Sequence, residues 1–336
     1  MRAVLSLIRA AVVPALALAT FAVQAASVIL DTPQVVQAIG RDAIVWDVRP
    51  AAAYRQGHIP GAVNIGDVGK VLRDENSEDY LPQATIESLL GNAGIDPARE
   101  VIVYGPKASP YVYFALVTLQ YFGGSQARVY HGGIEDWKAV GQPLSTDEHR
   151  LPAVKLHLKP QPEMLVDTAQ VLRMVQEGKT QIIDARTPAE FNGEELRALY
   201  GGHMPGAVSI HYKDNWKDPD AREKLARKET TSIEGLSLKP REQLQAMYSK
   251  LDPAKETVVY CQSGVRAAET ATILKEIGFR NVKVYDSSWI GYGNRPDTPI
   301  EGRTVFNVGL MKERMEAMTA RLDALADELG KMKAGK

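Results

Sequence analysis

The chain has 336 residues, enough for about two domains. Its 45% apolar and 24% charged residues are those of a globular protein, which excludes collagen-like, disordered and multi-span membrane classes. Forty basic against forty-one acidic residues leave a formal charge of −1, so no global field draws a polyanion and nucleic acid is not an expected partner. The single cysteine, Cys261, can form neither an intrachain disulfide nor a thiolate-rich zinc site, and is either packing or a reagent.

Residues 1–26 have the layout of a secretory signal peptide. Arg2 and Arg9 are the only charges before Asp31, and an apolar run over residues 10–23 ends in small residues, with cleavage expected after Ala25 or Ala26. The run is shorter than the ~20 residues that span a bilayer, and Pro14 would kink it, so no membrane span is expected in the mature chain. Export, in a bacterium to the periplasm, is the expected location. An unpaired thiol is unusual there, because that compartment favours disulfides.

The remainder is organised by an internal repeat long enough to make two whole domains. In the first copy the buried-strand pattern Ala43-Ile44-Val45-Trp46 leads into Asp47-Val48-Arg49 and then Gly57-His58-Ile59-Pro60-Gly61-Ala62-Val63. The second copy has Gln181-Ile182-Ile183, Asp184-Ala185-Arg186 and Gly202-His203-Met204-Pro205-Gly206-Ala207-Val208, with extra residues between the two motifs. A third matched block sets Asp96-Pro97-Ala98-Arg99-Glu100-Val101-Ile102-Val103-Tyr104-Gly105 against Asp252-Pro253-Ala254-Lys255-Glu256-Thr257-Val258-Val259-Tyr260-Cys261. Gly105 stands where Cys261 stands.

Short β-branched strands alternating with helical patterns indicate an α/β fold, two domains each with a mostly parallel sheet flanked by helices. The expected units are residues 27–150 and 161–302, joined by a proline-bearing linker at 151–160 and followed by a helical tail at 303–336. Helices are expected over residues 85–90, 243–251 and 267–277. Cys261 therefore falls at the carboxyl end of a strand just ahead of a helix, the sheet edge where open parallel α/β folds bind ligands.

The segment Cys261-Gln262-Ser263-Gly264-Val265-Arg266 carries the chemistry. A strand ending in cysteine and followed by a tight, glycine-containing loop into a helix surrounds the sulfur with backbone N–H groups, and these favour the thiolate. Arg266 adds a fixed positive charge with planar donors suited to an oxyanion. In the first copy, Gly105-Pro106-Lys107-Ala108-Ser109-Pro110 has two prolines that remove donors, so this copy is expected to be catalytically silent.

The Asp-x-Arg motif, the Gly-His-x-Pro-Gly-Ala turn and the Val258-Val259-Tyr260-Cys261-x-x-Gly264-x-Arg266 loop, in this order, resemble the rhodanese (sulfurtransferase) family. The duplication resembles its tandem-domain members, with an inactive N-terminal and an active C-terminal copy. The resemblance implies a sulfurtransferase that moves sulfane sulfur from a donor such as thiosulfate to a thiol or cyanide acceptor through a persulfide on Cys261. It implies no metal or organic cofactor. In that reading the amides of Gln262, Ser263, Gly264, Val265 and Arg266 hold the anionic sulfur, while Asp184 and Arg186 support the site. A persulfide carrier serving a specific partner is the alternative. A cysteine-dependent phosphatase or arsenate reductase is disfavoured, because those loops have one more residue between cysteine and arginine.

Glu190 stands where thiosulfate-type relatives have an arginine. A helical turn starting near Pro188 would bring Glu190 within ion-pair reach of Arg186, and Asp184 is expected to brace the loop by accepting amide hydrogen bonds. His58 and His203 recur in both copies and are expected to stabilise their turns, while Trp216 and Trp289 read as core. Ser287 and Ser288 replace Gly132 and Gly133 and carry no nucleophile signature. In the tail, Val308, Met311, Met315, Met318, Leu322, Leu325, Leu329 and Met332 follow a heptad seam. A homodimer through residues 308–332 is expected, or else a helix lying on its own domain.

Overall fold

A computed structural model describes residues 27–334, so the expected signal peptide at 1–26 lies outside the described residues. The first sheet consists of β1 (Ile29–Leu30), β2 (Ile44–Asp47), β3 (Val63–Asn64), β4 (Val101–Tyr104) and β5 (Ala127–Tyr130). Its order is β1-β5-β4-β2-β3, with every pair parallel. Residues further on form β6 (Leu165–Val166), β7 (Gln181–Asp184), β8 (Tyr200–His203), β9 (Val208–Ser209), β10 (Thr257–Tyr260), β11 (Val282–Tyr285) and β12 (Glu301–Val305). The second sheet, β6-β11-β10-β7-β9, repeats the first strand for strand and is also parallel throughout.

The central strands β4 and β10, Val-Ile-Val-Tyr and Thr-Val-Val-Tyr, are buried at every position, as a parallel strand covered on both faces must be. The duplication reaches the helix caps. Asp31 and Asp167 each cap a helix whose third residue, Gln34 or Gln170, reaches back to the cap amide. The expected helices at 85–90, 243–251 and 267–277 correspond to Gln83–Asn92, Arg241–Met247 and Val265–Ile277.

The extra residues of the second copy lead into β8, which pairs antiparallel with β12 outside the main sheet. Thr304 Oγ1 ties this ribbon down by donating to the Gly193 carbonyl at 2.8 Å. An end to the second unit at residue 302 would therefore cut through β12, and the tail helix starts at Val308. The expected linker is strapped to the first unit: Val154 N donates to Gly91 O at 2.9 Å, and Leu158 N to Glu87 Oε1 at 2.8 Å.

The two units meet through the helices that follow β4 and β10, Pro110–Tyr121 and Val265–Ile277. The first is buried without a break from Val112 to Leu119, because it faces its own sheet on one side and the other helix on the opposite side. The second presents Val265 and Ala268, small enough to let the helices approach closely, and both join the first unit's core, while Ala267 and Ala271 face the core of their own unit. This packing sets the Cys261 loop, at the start of the second helix, against the first unit.

The tail helix, Val308–Ala334, keeps its seam open to solvent, with Met315, Met318 and Leu322 each more than three-fifths exposed. The helix does not lie on its own domain, which corrects one of the two expectations for it. Among the described residues no helix is long and apolar enough to cross a membrane.

Candidate active site

Strand β10 ends at Tyr260, and Cys261, only 1% exposed, opens the loop that turns into helix Val265–Ile277. The turn depends on Gly264. Its φ of +78° lies in the left-handed region, and a Cβ there would stand 2.8 Å from both the carbonyl and Oδ1 of Asp286. The loop carbonyls are held from the next helix, with Trp289 N donating to Cys261 O and Ile290 N to Gln262 O, both at 3.0 Å.

Ser288 is a site residue that sequence reasoning missed. Its Oγ accepts from Cys261 N at 3.1 Å and from Gly264 N at 3.0 Å, and donates to Tyr285 O at 2.6 Å. The Gly264 amide is therefore committed to Ser288 and is not one of the donors expected to hold sulfur. The amides of Gln262, Ser263, Val265 and Arg266 have no protein acceptor among the described residues. Four donors thus remain on the loop that carries the sulfur.

The equivalent loop of the first unit has its donors filled. Lys107 N donates to Glu135 Oε2 at 2.7 Å, Ala108 N to His131 O at 3.1 Å and Ser109 N to Pro106 O at 3.1 Å, while Pro106 and Pro110 have no N–H. Gly133 stands where Ser288 does in the second unit. A Cβ on it would come within 2.4 Å of the Gly105 carbonyl, so this loop closes into the space that the serine occupies in the other copy. The Lys107 ammonium is buried on Asp136 at 2.8 Å.

Arg266 does not stand free as an anion seat. It makes a two-pronged pair with Glu190, Nη1 to Oε2 at 2.6 Å and Nη2 to Oε1 at 2.9 Å. Burial pushes the Glu190 carboxyl up, but the hydrogen bonds and charge of Arg266 outweigh it and hold the group down at about 2. Thr187 and Glu190 cap the short helix Pro188–Phe191 reciprocally, which fixes the carboxylate in place.

The expected Arg186–Glu190 pair is replaced by another, because Asp184 holds the Arg186 guanidinium. Its Nε and Nη2 reach both Asp184 oxygens at 2.6–3.0 Å, and Nη2 also donates to Gly202 O at 2.7 Å. Asp184 accepts from the Arg186 amide and side chain and accepts from no amide of the Cys261 loop, so it does not brace that loop as expected. The first unit repeats the arrangement with Asp47, Arg49 and Gly57, which marks it as architecture rather than chemistry. Gln262 turns its amide nitrogen to Arg197 O at 2.8 Å and leaves Oε1 buried without a partner among the described residues.

The two turn histidines behave alike. His58 stacks on Tyr54 at 3.7 Å with Nδ1 on the Tyr54 carbonyl, and His203 stacks on Phe191 at 3.6 Å with Nδ1 on the Phe191 carbonyl. Trp216 and Trp289 are buried in the core, their indole N–H groups on Glu269 and on the Tyr200 carbonyl. Among the described residues no group of three His, Cys, Asp or Glu is placed to hold a metal ion.

Comparison with known proteins agrees with this geometry. The family described as "Rhodanese-like domain" matches residues 31–140 and again 167–294. A thiosulfate sulfurtransferase of Corynebacterium glutamicum is 33% identical over 260 residues, 74% of this chain and 81% of that protein. One from Azotobacter vinelandii is 31% identical over 264 residues, 77% of this chain and 90% of the relative. The crystal structure of Escherichia coli SseA, described as a 3-mercaptopyruvate sulfotransferase, superposes with a TM-score of 0.65 at 27% identity, covering 78% of this chain and 99% of that one. The anaerobic ergothioneine biosynthesis enzyme of Chlorobium limicola has the same fold, with a TM-score of 0.69 at 21% identity over 82% of this chain and 70% of its own. Two matched domains, a conserved strand order in each copy and these relatives make the chain a tandem-domain member of the rhodanese family of sulfurtransferases.

Proposed function

We propose that the second domain transfers sulfane sulfur through a persulfide on Cys261 and that the first domain is catalytically silent. The observation that carries this reading is the contrast between two equivalent loops. One bears a thiol and four amides without protein acceptors, while the other has its donors filled and bears no thiol.

With thiosulfate as donor, the Cys261 thiolate attacks the outer sulfur. The bond between the two thiosulfate sulfurs breaks, its electron pair leaves with sulfite, and Cys261 retains one added sulfur as a persulfide anion. A cyanide or thiolate acceptor then attacks that outer sulfur, and the Sγ–S bond breaks with its electron pair returning to Cys261. The amides of Gln262, Ser263, Val265 and Arg266 stabilise the negative charge on the bound sulfur. The two half-reactions call for ping-pong kinetics: double-reciprocal plots with thiosulfate and cyanide should be parallel, and converging lines would overturn a persulfide intermediate released from its donor.

A second reading, a carrier loaded and discharged by a protein or by a small persulfide, is favoured by the Glu190–Arg266 pair, which engages the loop arginine that a dianionic donor would use. The apolar run at residues 10–23 supports export to the periplasm with cleavage after Ala25 or Ala26. The seam on the tail helix supports association of two copies through residues 308–332.

A further inference from the structure

We infer that Arg73, from the domain without the cysteine, is a positioning residue for the Cys261 loop, acting through the segment Asp286-Ser287-Ser288. The inference rests on the reading of Cys261 as the sulfur-carrying nucleophile.

Arg73 is buried, its guanidinium lying 4.2 Å from the centre of the Phe114 ring and 5.4 Å from that of Tyr80. Two of its nitrogens are engaged: Nη1 donates to Glu78 O, and Nη2 crosses the domain boundary to Asp286 Oδ1 at 2.6 Å. Six residues further along the same segment, Asp79 Oδ1 accepts from Ser287 Oγ at 2.7 Å. The segment is stiffened from within, because Asp74 N bonds to Asp79 O and Asp74 Oδ1 accepts from the amides of Asn76 and Ser77. A self-braced turn of the first domain therefore grips two consecutive residues of the second.

The next residue, Ser288, gives Cys261 and Gly264 the acceptor for their amides. Asp286 itself abuts Gly264, and a Cβ on that glycine would also come within 3.2 Å of Arg73 Nη2. The route from Arg73 to the sulfur-bearing loop is thus two steps of direct contact, Arg73 to Asp286 and Asp286–Ser288 to the loop. Lysine at 73 would keep the charge on Asp286 but not the fork. An apolar residue would leave a partly buried carboxylate without its partner beside the loop, which is costly. The first domain, without a nucleophile of its own, completes the site by holding this segment in register.

The test uses the full chain and thiosulfate as the probe, following transfer of one sulfur to Cys261 by intact mass in a rapid-mixing experiment. Arg73→Met and Asp286→Asn should lower the rate constant of sulfur loading by about tenfold or more while every molecule still loads in the end, and Arg73→Lys should recover part of the rate. A structural role alone would instead lower the fraction that loads and leave the rate constant of that fraction unchanged, and this result would overturn the inference. So would wild-type rates in both variants. If Arg73→Met does not fold, Asp286→Asn and Arg73→Lys decide by the same criterion. A wild-type chain that loads with no sulfane donor would refute the underlying function instead.

Discussion

Glu190 and Arg266 hold each other face to face at 2.6 and 2.9 Å, at the position where an anionic sulfur donor would seek the arginine. The paired carboxylate cancels the charge of the one loop side chain suited to bind an oxyanion. Glu190→Gln should therefore free Arg266 and lower KM for thiosulfate by about tenfold, the gain of one charge-assisted hydrogen bond. Steady-state kinetics against thiosulfate check this, and an unchanged or higher KM would show that Arg266 does not meet the donor.

The same pair has a signature in stability. The folded-state value of Glu190, about 2, lies below its ordinary 4.5. Its contribution is then fully present above pH 4.5 and lost as pH falls from there toward 2, on the order of 3 kcal/mol in all. In Glu190→Gln the acid limb of the unfolding profile over this window should flatten, as read by urea denaturation at several pH values.

Ser288 satisfies two buried amides of the Cys261 loop, each of which costs about 1–3 kcal/mol when left unpaired. Ser288→Ala should lower turnover at least tenfold and destabilise the second domain, whereas Ser287→Ala, which removes one bond across the domain boundary and none to the loop itself, should have the smaller effect on both. Comparison of turnover and Tm for the two variants checks this, and equal effects would contradict it.

Glu269 is the clearest source of pH-dependent stability near neutrality. Burial pushes its carboxyl up to about 8, against the pull of the Trp216 indole N–H at 2.8 Å and the charge of Arg222. The folded chain keeps this proton while the unfolded chain releases it at about 4.5, so stability falls as pH rises through that window. Glu269→Gln keeps an acceptor for Trp216 and removes the titration. It should raise Tm relative to wild type at pH 8 and leave the difference near zero at pH 4.

The tail helix carries a seam two positions wide in each heptad, the width that one partner helix covers. In a parallel pair in register, Glu328 faces the partner's Lys333. Deletion of residues 308–336, which spares β12, should halve the solution mass measured by light scattering. A full-length chain that is already monomeric would contradict association through this helix.

Much of the fold could be read from the sequence because it is written twice: Asp47/Asp184, His58/His203 and the matched strands β4 and β10 announce two copies of one sheet. The Cys261 loop was equally legible, since strand, thiol, glycine and arginine lie within one short run. Tertiary pairing was not. Local spacing selects Arg186 as the partner of Glu190, but Asp184 and the Gly202 carbonyl hold that guanidinium, and the true partner is 76 residues further on. Arg73 and Asp286 are 213 residues apart and share no periodicity that would join them. Ser288 had one available signal, the replacement of a glycine by a serine between otherwise matched copies, and its meaning depends on a backbone that only the folded loop supplies.

The central claim is that Cys261 accepts and hands on sulfur. Incubation of the intact chain with thiosulfate followed by weighing it should show a gain of one sulfur atom, lost again on addition of cyanide and absent in Cys261→Ser. A wild-type chain that gains no sulfur from thiosulfate, a small persulfide or polysulfide, or an adduct that survives in Cys261→Ser, would contradict the account.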